Sequence, residues 1–411
     1  MDLLKVLKKP SSIIFVAVLI GAIVLTVLSY QLVVRSKPIV DPVASSRATP
    51  TPTPIIVSTP SPTSTPALTL LPVQDPANIL GIDGDPSVSY TGIPWIRLGY
   101  PTCGWGNLRG DALKNTIQTY HSKGIRVLLT VCQGPNDARL YNTAALNDVA
   151  QGNADAVQCG NEEMKLDPAV AFLYIPPENF AKFYDLCEHA AHAVRHDIPV
   201  LLGSLDPHVG GIDYQPLVDQ ANYLDQMQNA MNSTVHPGGN WDWHTQTLGL
   251  IDSWHNGYPS PSTNSLYGLF VFWAQQFHVD LNSGALGKHL WVVEGTGCFR
   301  GCGINPNSSY QVAVSHALSL ITDAQTSMRY KVPMFYFSGK DFHDQGIYWP
   351  IGVVDGGGNP KPIRQDLPMG ARALTLSCPN GSVNVVNQEQ LLAMLYNRCV
   401  LPSNYISVIM N

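Results

Sequence analysis

The sequence predicts an α/β fold, a (β/α)8 TIM barrel with an N-terminal transmembrane helix and a short disulfide-stapled C-terminal tail. Three observations lead to this prediction. Eight short apolar runs alternate with longer helix-like segments after residue 75, an apolar run of 24 residues lies near the N-terminus, and all eight cysteines follow that run. An alternation of strands and helices is typical of a parallel sheet that is covered by helices.

The first 74 residues contain no pattern that could form a globular core. Residues 11–34 carry no charged side chain, and a helix needs about 20 predominantly apolar residues to cross a bilayer. We expect residues 1–10 to be cytoplasmic and residues 11–34 to be a transmembrane signal anchor. No small-residue cleavage pattern directly follows the apolar run. A cleaved signal peptide, which would give a secreted protein, is the alternative.

Residues 35–74 are rich in proline, threonine and serine, which predicts an extended linker. The globular part is therefore expected outside the cell, held at the membrane by a single helix. Six of the 24 basic and two of the 30 acidic side chains precede residue 75, which leaves a net charge of −10 beyond it. An acidic domain is a poor electrostatic partner for nucleic acid, so we predict no nucleic-acid binding. The oligomeric state is left open.

Eight cysteines, all beyond the apolar run, indicate an oxidising compartment. Cys298 and Cys302 enclose only three residues and are expected to form a tight disulfide. Cys378 and Cys399 bracket the C-terminal tail and are the second expected pair. The pairing of the other four cysteines cannot be deduced from spacing. A zinc site is the rival interpretation, but the sequence contains no CxxC pair, so we predict no metal.

Eight apolar runs are the predicted strands, and several are continuous and β-branched, as expected for parallel strands that are buried on both faces. They comprise residues 78–83, 93–100, 125–132, 154–161, 198–205, 248–254, 289–295 and 332–339. The predicted helices comprise residues 112–124, 176–196, 265–280 and 308–330. Long loops are expected at 133–153, 206–247 and 296–307. No GxGxxG motif follows the first run, which argues against a dinucleotide-binding sheet.

These segments place the barrel at residues 75–365 and leave residues 366–411 as a C-terminal extension. The extension is too short for an independent core, and we assign it no chemistry. No cofactor is predicted.

Two carboxylates follow predicted strands at the end where a barrel carries its reactive groups. Glu162 comes after the fourth run, and Glu294 lies at the end of the seventh. Strands four and seven approach one another across the barrel mouth, so these side chains can converge. A carboxylate at the end of an apolar strand is costly to bury unpaired. Two unrelated strand-end salt bridges are the alternative to a joint catalytic role.

These residues lie in motifs that resemble the catalytic signature of the clan A retaining glycoside hydrolases. The resemblance covers roughly residues 78–365. It rests on Asn161-Glu162 after strand four, Glu294 after strand seven, Arg97 in WIRLGY, His255 and Tyr258 in SWHNGYP, and the segment GVVDGGGNPKP at 352–362. Many members carry a tryptophan at the end of strand eight. Tyr336 or Phe337 stands there in this sequence.

The resemblance implies a hydrolase that cleaves O-glycosidic bonds of an oligo- or polysaccharide with retention of configuration. Together with the predicted anchor, this gives a membrane-anchored extracellular glycoside hydrolase. Glu294 would be the nucleophile and Glu162 the acid/base. Arg97, Asn161, His255 and Tyr258 would support the nucleophile or contact the sugar. Glu163 is the alternative acid, but adjacent strand residues point in opposite directions, so only one of the two can face the mouth. We expect Glu162.

Aromatic residues in the loops are candidates for stacking on the apolar faces of sugars. The predicted substrate-binding aromatics are Trp105, Trp241, Trp243 and Trp349. The alternative for each is a packing role within a loop. Two other functions also remain open. One is a non-catalytic carbohydrate-binding or adhesin barrel with a degenerate site. The other is a metal-dependent barrel hydrolase, for which no set of strand-end histidines and aspartates is visible.

Overall fold

The computed structural model describes residues 79–133, 143–164, 174–193, 195–206, 214–251, 266–295, 317, 319–344, 347–366, 374–385 and 388–401. These residues belong to one compact unit, Pro66–Asn411. Within them, no helix has the length and apolar character needed to cross a membrane. The predicted anchor at 11–34 and the linker at 35–74 lie outside the described residues.

Eight parallel strands close into a barrel in chain order, as the sequence predicts. The strands are β1 (Leu80–Asp83), β2 (Trp95–Gly99), β3 (Arg126–Val131), β4 (Ala156–Cys159), β5 (Val200–Leu205), β6 (Thr247–Ile251), β7 (Leu290–Gly295) and β8 (Met334–Tyr336). Pairing of β1 with β8 closes the ring. Each strand lies inside its predicted run, except that β6 begins one residue earlier.

Helices connect the strands and cover the barrel. They are α1 (Gly110–Ser122), α2 (Thr143–Gly152), α3 (Pro177–His192), α4 (Tyr214–Ala230), α5 (Leu266–Gln276), α6 (Gln325–Tyr330) and α7 (Pro362–Asp366), with a π-helical segment, Ser319–Ala324, before α6. The long loops expected at 133–153 and 206–247 are wrong in part, because helices α2 and α4 lie within these ranges. Helix α4 buries Leu217, Leu224 and Met227 at helical spacing, but Gln, Asn and Asp between them obscure the apolar stripe in the sequence.

The barrel interior is filled by one apolar cluster that is contributed by inward-facing strand residues. Its members are Ile79, Trp95, Leu128, Ala156, Leu201, Ile251, Trp291, Val293 and Phe335. Trp95 meets Trp291 edge to face, with ring centroids 5.9 Å apart, and Trp291 stacks on Phe335 at 6.3 Å. Because the interior is packed solid, any site must lie above this cluster, at the carboxyl ends of the strands. We call that end the mouth.

The segment after β8 is fixed by a buried ion pair. It contains a two-stranded sheet of β9 (Phe342–Asp344) and β10 (Ile347–Trp349). The Asp341 carboxylate accepts hydrogen bonds from Lys361 Nζ, from Tyr348 Oη at 2.7 Å and from the Gly352 amide at 2.8 Å. Burial raises the pKa of Asp341 and lowers the pKa of Lys361, in each case against the attraction of the partner. The pair therefore depends on these contacts to offset its desolvation.

The C-terminal extension contains a hairpin and a helix. A hairpin of β11 (Leu374–Cys378) and β12 (Gly381–Val385) precedes α8 (Gln388–Tyr396). The predicted disulfide between Cys378 and Cys399 is confirmed.

Two further disulfides, which spacing could not assign, lie near the mouth. They join Cys103 to Cys132 and Cys159 to Cys187. The predicted pair Cys298 and Cys302 lies outside the described residues.

We expect Lys361→Met to lower the free energy of unfolding by about 3 kcal/mol or more, because it leaves the Asp341 carboxylate buried without its cation. Urea denaturation of the two proteins measures the difference. Lys340→Met is the matched control. The Lys340–Asp85 pair is 3.7 Å long with both side chains partly exposed, so its loss should cost about 1 kcal/mol or less. Equal losses in the two variants would show that the Asp341–Lys361 pair does not hold this segment.

Candidate active site

Arg97 lies at the centre of the mouth and is fully buried. Its position follows from strand alternation, since Trp95 points into the apolar cluster and Arg97 is the next inward-facing residue on β2. The same alternation places Asp83, Thr130 and Gln158 above their own interior neighbours on β1, β3 and β4. A polar layer therefore lies directly on the apolar core.

The guanidinium group of Arg97 donates hydrogen bonds to side chains of this layer and of the strand ends around it. Nε lies 2.9 Å from Thr130 Oγ1 and 3.0 Å from Gln158 Oε1. Nη1 lies 2.7 Å from both Asp83 Oδ2 and Glu294 Oε1, and Nη2 lies 2.6 Å from Asn161 Oδ1. Burial alone would lower the pKa of Arg97, but the two carboxylates raise it above its ordinary value. Arg97 is thus a permanent buried cation.

Glu294 reaches Arg97 because β7 departs from regular pairing. Trp291 and Val293 both belong to the interior cluster, so strict alternation would turn Glu294 outward. The register with β6 shifts between Val292, which pairs with Leu250, and Glu294, which pairs with Ile251. Such an irregularity re-aims the next side chain. The Glu294 side chain is 10% exposed and lies in the mouth.

Asn161 is oriented by three donors on its side-chain oxygen. Arg97 Nη2 lies 2.6 Å away, Ser204 Oγ 2.8 Å and Gln158 Nε2 3.2 Å. These donors fix the amide so that its oxygen faces the protein. The amide nitrogen is therefore the end that can donate a hydrogen bond to a ligand hydroxyl.

Glu162 lies in a turn that follows β4, and Ser204 of β5 holds that turn. The Glu162 amide lies 3.1 Å from Ser204 O and 3.3 Å from Ser204 Oγ. Glu162 has a φ of +56°, a conformation that residues other than glycine seldom adopt and that is often found at functional sites. The Glu162 side chain is half-buried. Ser204 therefore positions both members of the Asn161–Glu162 pair.

Glu163 is fully buried. Its carboxylate lies against Gly203, where a Cβ would stand 1.8 Å from Glu163 Oε1, and beside Gly160, which adjoins Phe180 of α3. Burial raises the pKa of Glu163 to about 7. Of the two adjacent glutamates, only Glu162 is partly exposed to solvent.

Asp83 also carries a perturbed carboxyl group. Burial raises its pKa to about 7, the Arg97 guanidinium opposes this rise, and the Glu294 carboxylate adds to it. Asp83 was not among the site residues predicted from the sequence. Its inward position on β1 was visible in the alternation after Ile79, but a single aspartate gives no sign of which strand ends it will meet. Thr130, Gln158 and Ser204 were missed for the same reason.

The predicted aromatic residues lie in different parts of the barrel. Trp105 follows β2 at the mouth, is 45% exposed and lies over Arg97, with 5.0 Å from Cζ to the ring centroid. Trp349 lies in β10 and is 7% exposed, so little of its surface can meet a ligand. Phe337 directly follows β8, and its amide donates to Gly295 O at 2.9 Å. Tyr336 is fully buried.

Trp241 and Trp243 were predicted to stack on a sugar, but the structure places them away from the mouth. They precede β6 and so lie at the amino ends of the strands, opposite the mouth. Trp243 is 1% exposed, donates from Nε1 to Asp225 Oδ1 and packs against Trp273 and Phe277. Trp241 packs edge to face on Tyr184. Packing against the helices explains why tryptophans occur in this polar loop.

Two predicted site residues, His255 and Tyr258, lie outside the described residues. Among the residues that the structure does describe, no group of three or more His, Cys, Asp or Glu side chains is arranged to hold a metal ion. The residues brought together at the mouth are Asp83, Arg97, Trp105, Asn161, Glu162 and Glu294.

No protein-family model and no curated protein matches the sequence. Solved structures that are similar to it include a GH53 catalytic domain from Ignisphaera aggregans, with 16% identity, a TM-score of 0.43 and coverage of 73% of this chain and 98% of that one. A glucosidase from Croceicoccus marinus has 13% identity, a TM-score of 0.42 and coverage of 74% and 73%. A fungal β-1,4-galactanase has 14% identity, a TM-score of 0.38 and coverage of 63% and 88%. These proteins are named as glycoside hydrolases. The barrel fold of this chain is established by the pairing of its own eight strands.

We expect the stability difference between wild type and Glu163→Gln to depend on pH. Glu163 has an ordinary pKa of 4.5 and a pKa of about 7 in the folded protein, so the folded state binds this proton more tightly. The stability that Glu163 provides is complete below pH 4.5, declines as pH rises to 7 and is lost above it. Gln mimics the protonated form. The variant should match wild type near pH 4.5 and exceed it by up to about 3 kcal/mol at pH 8.

Denaturant unfolding across this pH range measures the difference. Glu178→Gln, at an exposed position on α3, is the control for replacing a glutamate at the surface. A difference between Glu163→Gln and wild type that stays constant with pH would contradict a raised pKa at Glu163.

Proposed function

We propose that the protein is a retaining glycoside hydrolase that cleaves O-glycosidic bonds of an oligo- or polysaccharide. Glu294 is the nucleophile and Glu162 is the acid/base. The observation that carries this proposal is the bridge through Arg97. One guanidinium group binds Glu294 on Nη1 and Asn161, the neighbour of Glu162, on Nη2. This bridge supports a short separation between the two carboxyl groups, which retention requires.

The first step forms a glycosyl-enzyme. The Glu294 carboxylate attacks the anomeric carbon while Glu162 donates its proton to the leaving oxygen, so the glycosidic bond breaks as an ester bond forms. Arg97 favours the ionised form of Glu294 because a cation within hydrogen-bond distance stabilises a carboxylate. This contact therefore favours the form of Glu294 that can act as a nucleophile.

The second step hydrolyses the ester. Glu162, now a carboxylate, takes a proton from water, and the oxygen of that water attacks the anomeric carbon and releases Glu294. In the proposed reaction, the amide nitrogen of Asn161 donates to a hydroxyl of the sugar bound at the nucleophile, since its side-chain oxygen accepts from protein donors. The exposed ring of Trp105 lies over Arg97 and offers a face on which a sugar can stack.

The proposed location is the outer face of the cell membrane. It is supported by the uncharged run at 11–34, the proline-rich linker and the disulfides between cysteines of the barrel. If the run at 11–34 is cleaved, the same domain would be secreted. Both locations fit an enzyme that acts on extracellular carbohydrate.

We expect Glu294→Gln to lower kcat/KM by more than about 10³-fold, because it removes the nucleophile. Glu162→Gln should lower kcat/KM by about 10² to 10⁴-fold for substrates with poor leaving groups. Its effect should be smaller for dinitrophenyl glycosides, whose leaving group needs no proton. The measurement is turnover by the full-length protein of a panel of aryl glycosides and polysaccharides, with Glu178→Gln as the control for folding.

Three outcomes would contradict the proposal. Wild type could turn over no member of the panel, Glu294→Gln could retain its rate, or Glu162→Gln could lose the same factor for good and poor leaving groups. Saccharide binding by a wild-type protein that shows no turnover would favour a carbohydrate-binding barrel instead.

A further inference from the structure

Asp83 shares a hydrogen-bond donor with the proposed nucleophile. Asp83 Oδ2 and Glu294 Oε1 each lie 2.7 Å from the same nitrogen, Arg97 Nη1. The two carboxylate oxygens are therefore separated by no more than twice that distance. Nη1 carries two protons, and this geometry assigns one proton to each carboxylate. Any change in the charge of one carboxyl group must be felt by the other.

The charges at this position do not balance when both carboxyl groups are ionised. One buried cation then faces two carboxylates whose side chains are only 9% and 10% exposed. The other described ionisable groups nearby are Glu162 on the turn after β4, Tyr90, which is buried, and the more exposed Asp85–Lys340 pair. A net negative charge in a site with so little solvent is costly. One proton shared by the two carboxyl groups removes that cost, in agreement with the raised pKa of Asp83.

We propose that Asp83 is a positioning residue that shares Arg97 with Glu294 and is protonated while Glu294 is a carboxylate, but ionised while Glu294 is an ester. The first half of this inference concerns the resting protein alone. The second half rests on the proposed function. In both states Arg97 faces one negative charge, so the environment of the guanidinium group, and with it the position of Asn161, is conserved through the reaction.

The protons balance over the cycle. When the ester forms, Glu162 gives its proton to the leaving oxygen and Glu294 loses its negative charge. Asp83 then releases its proton to solvent and replaces that charge beside Arg97. When water hydrolyses the ester, Glu162 takes a proton from the water, Glu294 regains its charge and Asp83 takes a proton back from solvent. The net reaction consumes only water.

The test is a titration of the glutamate carboxyl groups by NMR, which needs no substrate. The chain contains six glutamates, at positions 162, 163, 178, 188, 294 and 389, so full-length protein labelled with ¹³C at the side-chain carboxyl carbon gives a spectrum that variants can assign. We expect the Glu294 signal to show two inflections with pH. The alkaline inflection would report the ionisation of Asp83.

In Asp83→Asn the alkaline inflection of Glu294 should disappear. In Asp85→Asn, which removes a carboxylate two residues away, and in Glu162→Gln it should remain. A single inflection for Glu294 in wild type, or an alkaline inflection that survives Asp83→Asn, would overturn the proposal.

A second labelling scheme tests the same coupling without the Asp83→Asn variant, in case that variant does not fold correctly. With labelled aspartate, the titration midpoint of Asp83 should fall by about one pH unit or more in Glu294→Gln, because the neutral side chain stands in for the ester. An unchanged midpoint would count against the coupling. These results are separate from the proposed function. Coupled titration in a protein without glycosidase activity would refute only the function, and glycosidase activity without coupled titration would refute only the role of Asp83.

Discussion

The structure of the mouth depends on one buried cation. Arg97 lies directly above the apolar interior of the barrel, where an unpaired charge would be prohibitively costly. Its guanidinium group must therefore be surrounded by acceptors, and these come from β1, β3, β7 and β4 with the turn that follows β4. The need to satisfy Arg97 gathers Glu294 and Asn161 to one point. The hydrogen bonds that Arg97 requires therefore fix the relative positions of these two side chains.

Departures from regular backbone geometry complete the arrangement. The register shift in β7 turns Glu294 inward, and the positive φ angles of Gly160, Glu162 and Gly203 shape the turn after β4 and the bend of β5 that supports it. Gly203 also leaves room for the buried Glu163 carboxyl group. The disulfide between Cys159 and Cys187 ties the last residue of β4 to α3, immediately before this turn. Strain at a site of this kind persists only where the surroundings over-determine the conformation.

The sequence predicted the barrel well because the barrel depends on local pattern. All eight strands were visible as apolar runs, and Arg97, Asn161 and Glu294 were selected from motifs at strand ends. Other features could not be predicted from the sequence. Helix α4 carries its apolar stripe among polar residues, and the tryptophans at 241 and 243 lie at the amino ends of the strands, which loop composition does not reveal. Asp83 and Ser204 were missed because their roles depend on contacts between strands that are distant in sequence.

The stereochemistry of the reaction tests this account most directly. If Arg97 holds Glu294 next to the Asn161–Glu162 pair, the two carboxyl groups are close enough for a covalent intermediate, about 5 to 5.5 Å apart. Proton NMR of the first product formed from a cleaved aryl glycoside then shows the anomeric configuration of the substrate, before mutarotation. We predict retention. An inverted first product would require a carboxyl separation of about 6.5 to 9.5 Å, with a water molecule as the attacking group, and would contradict the role assigned to Glu294.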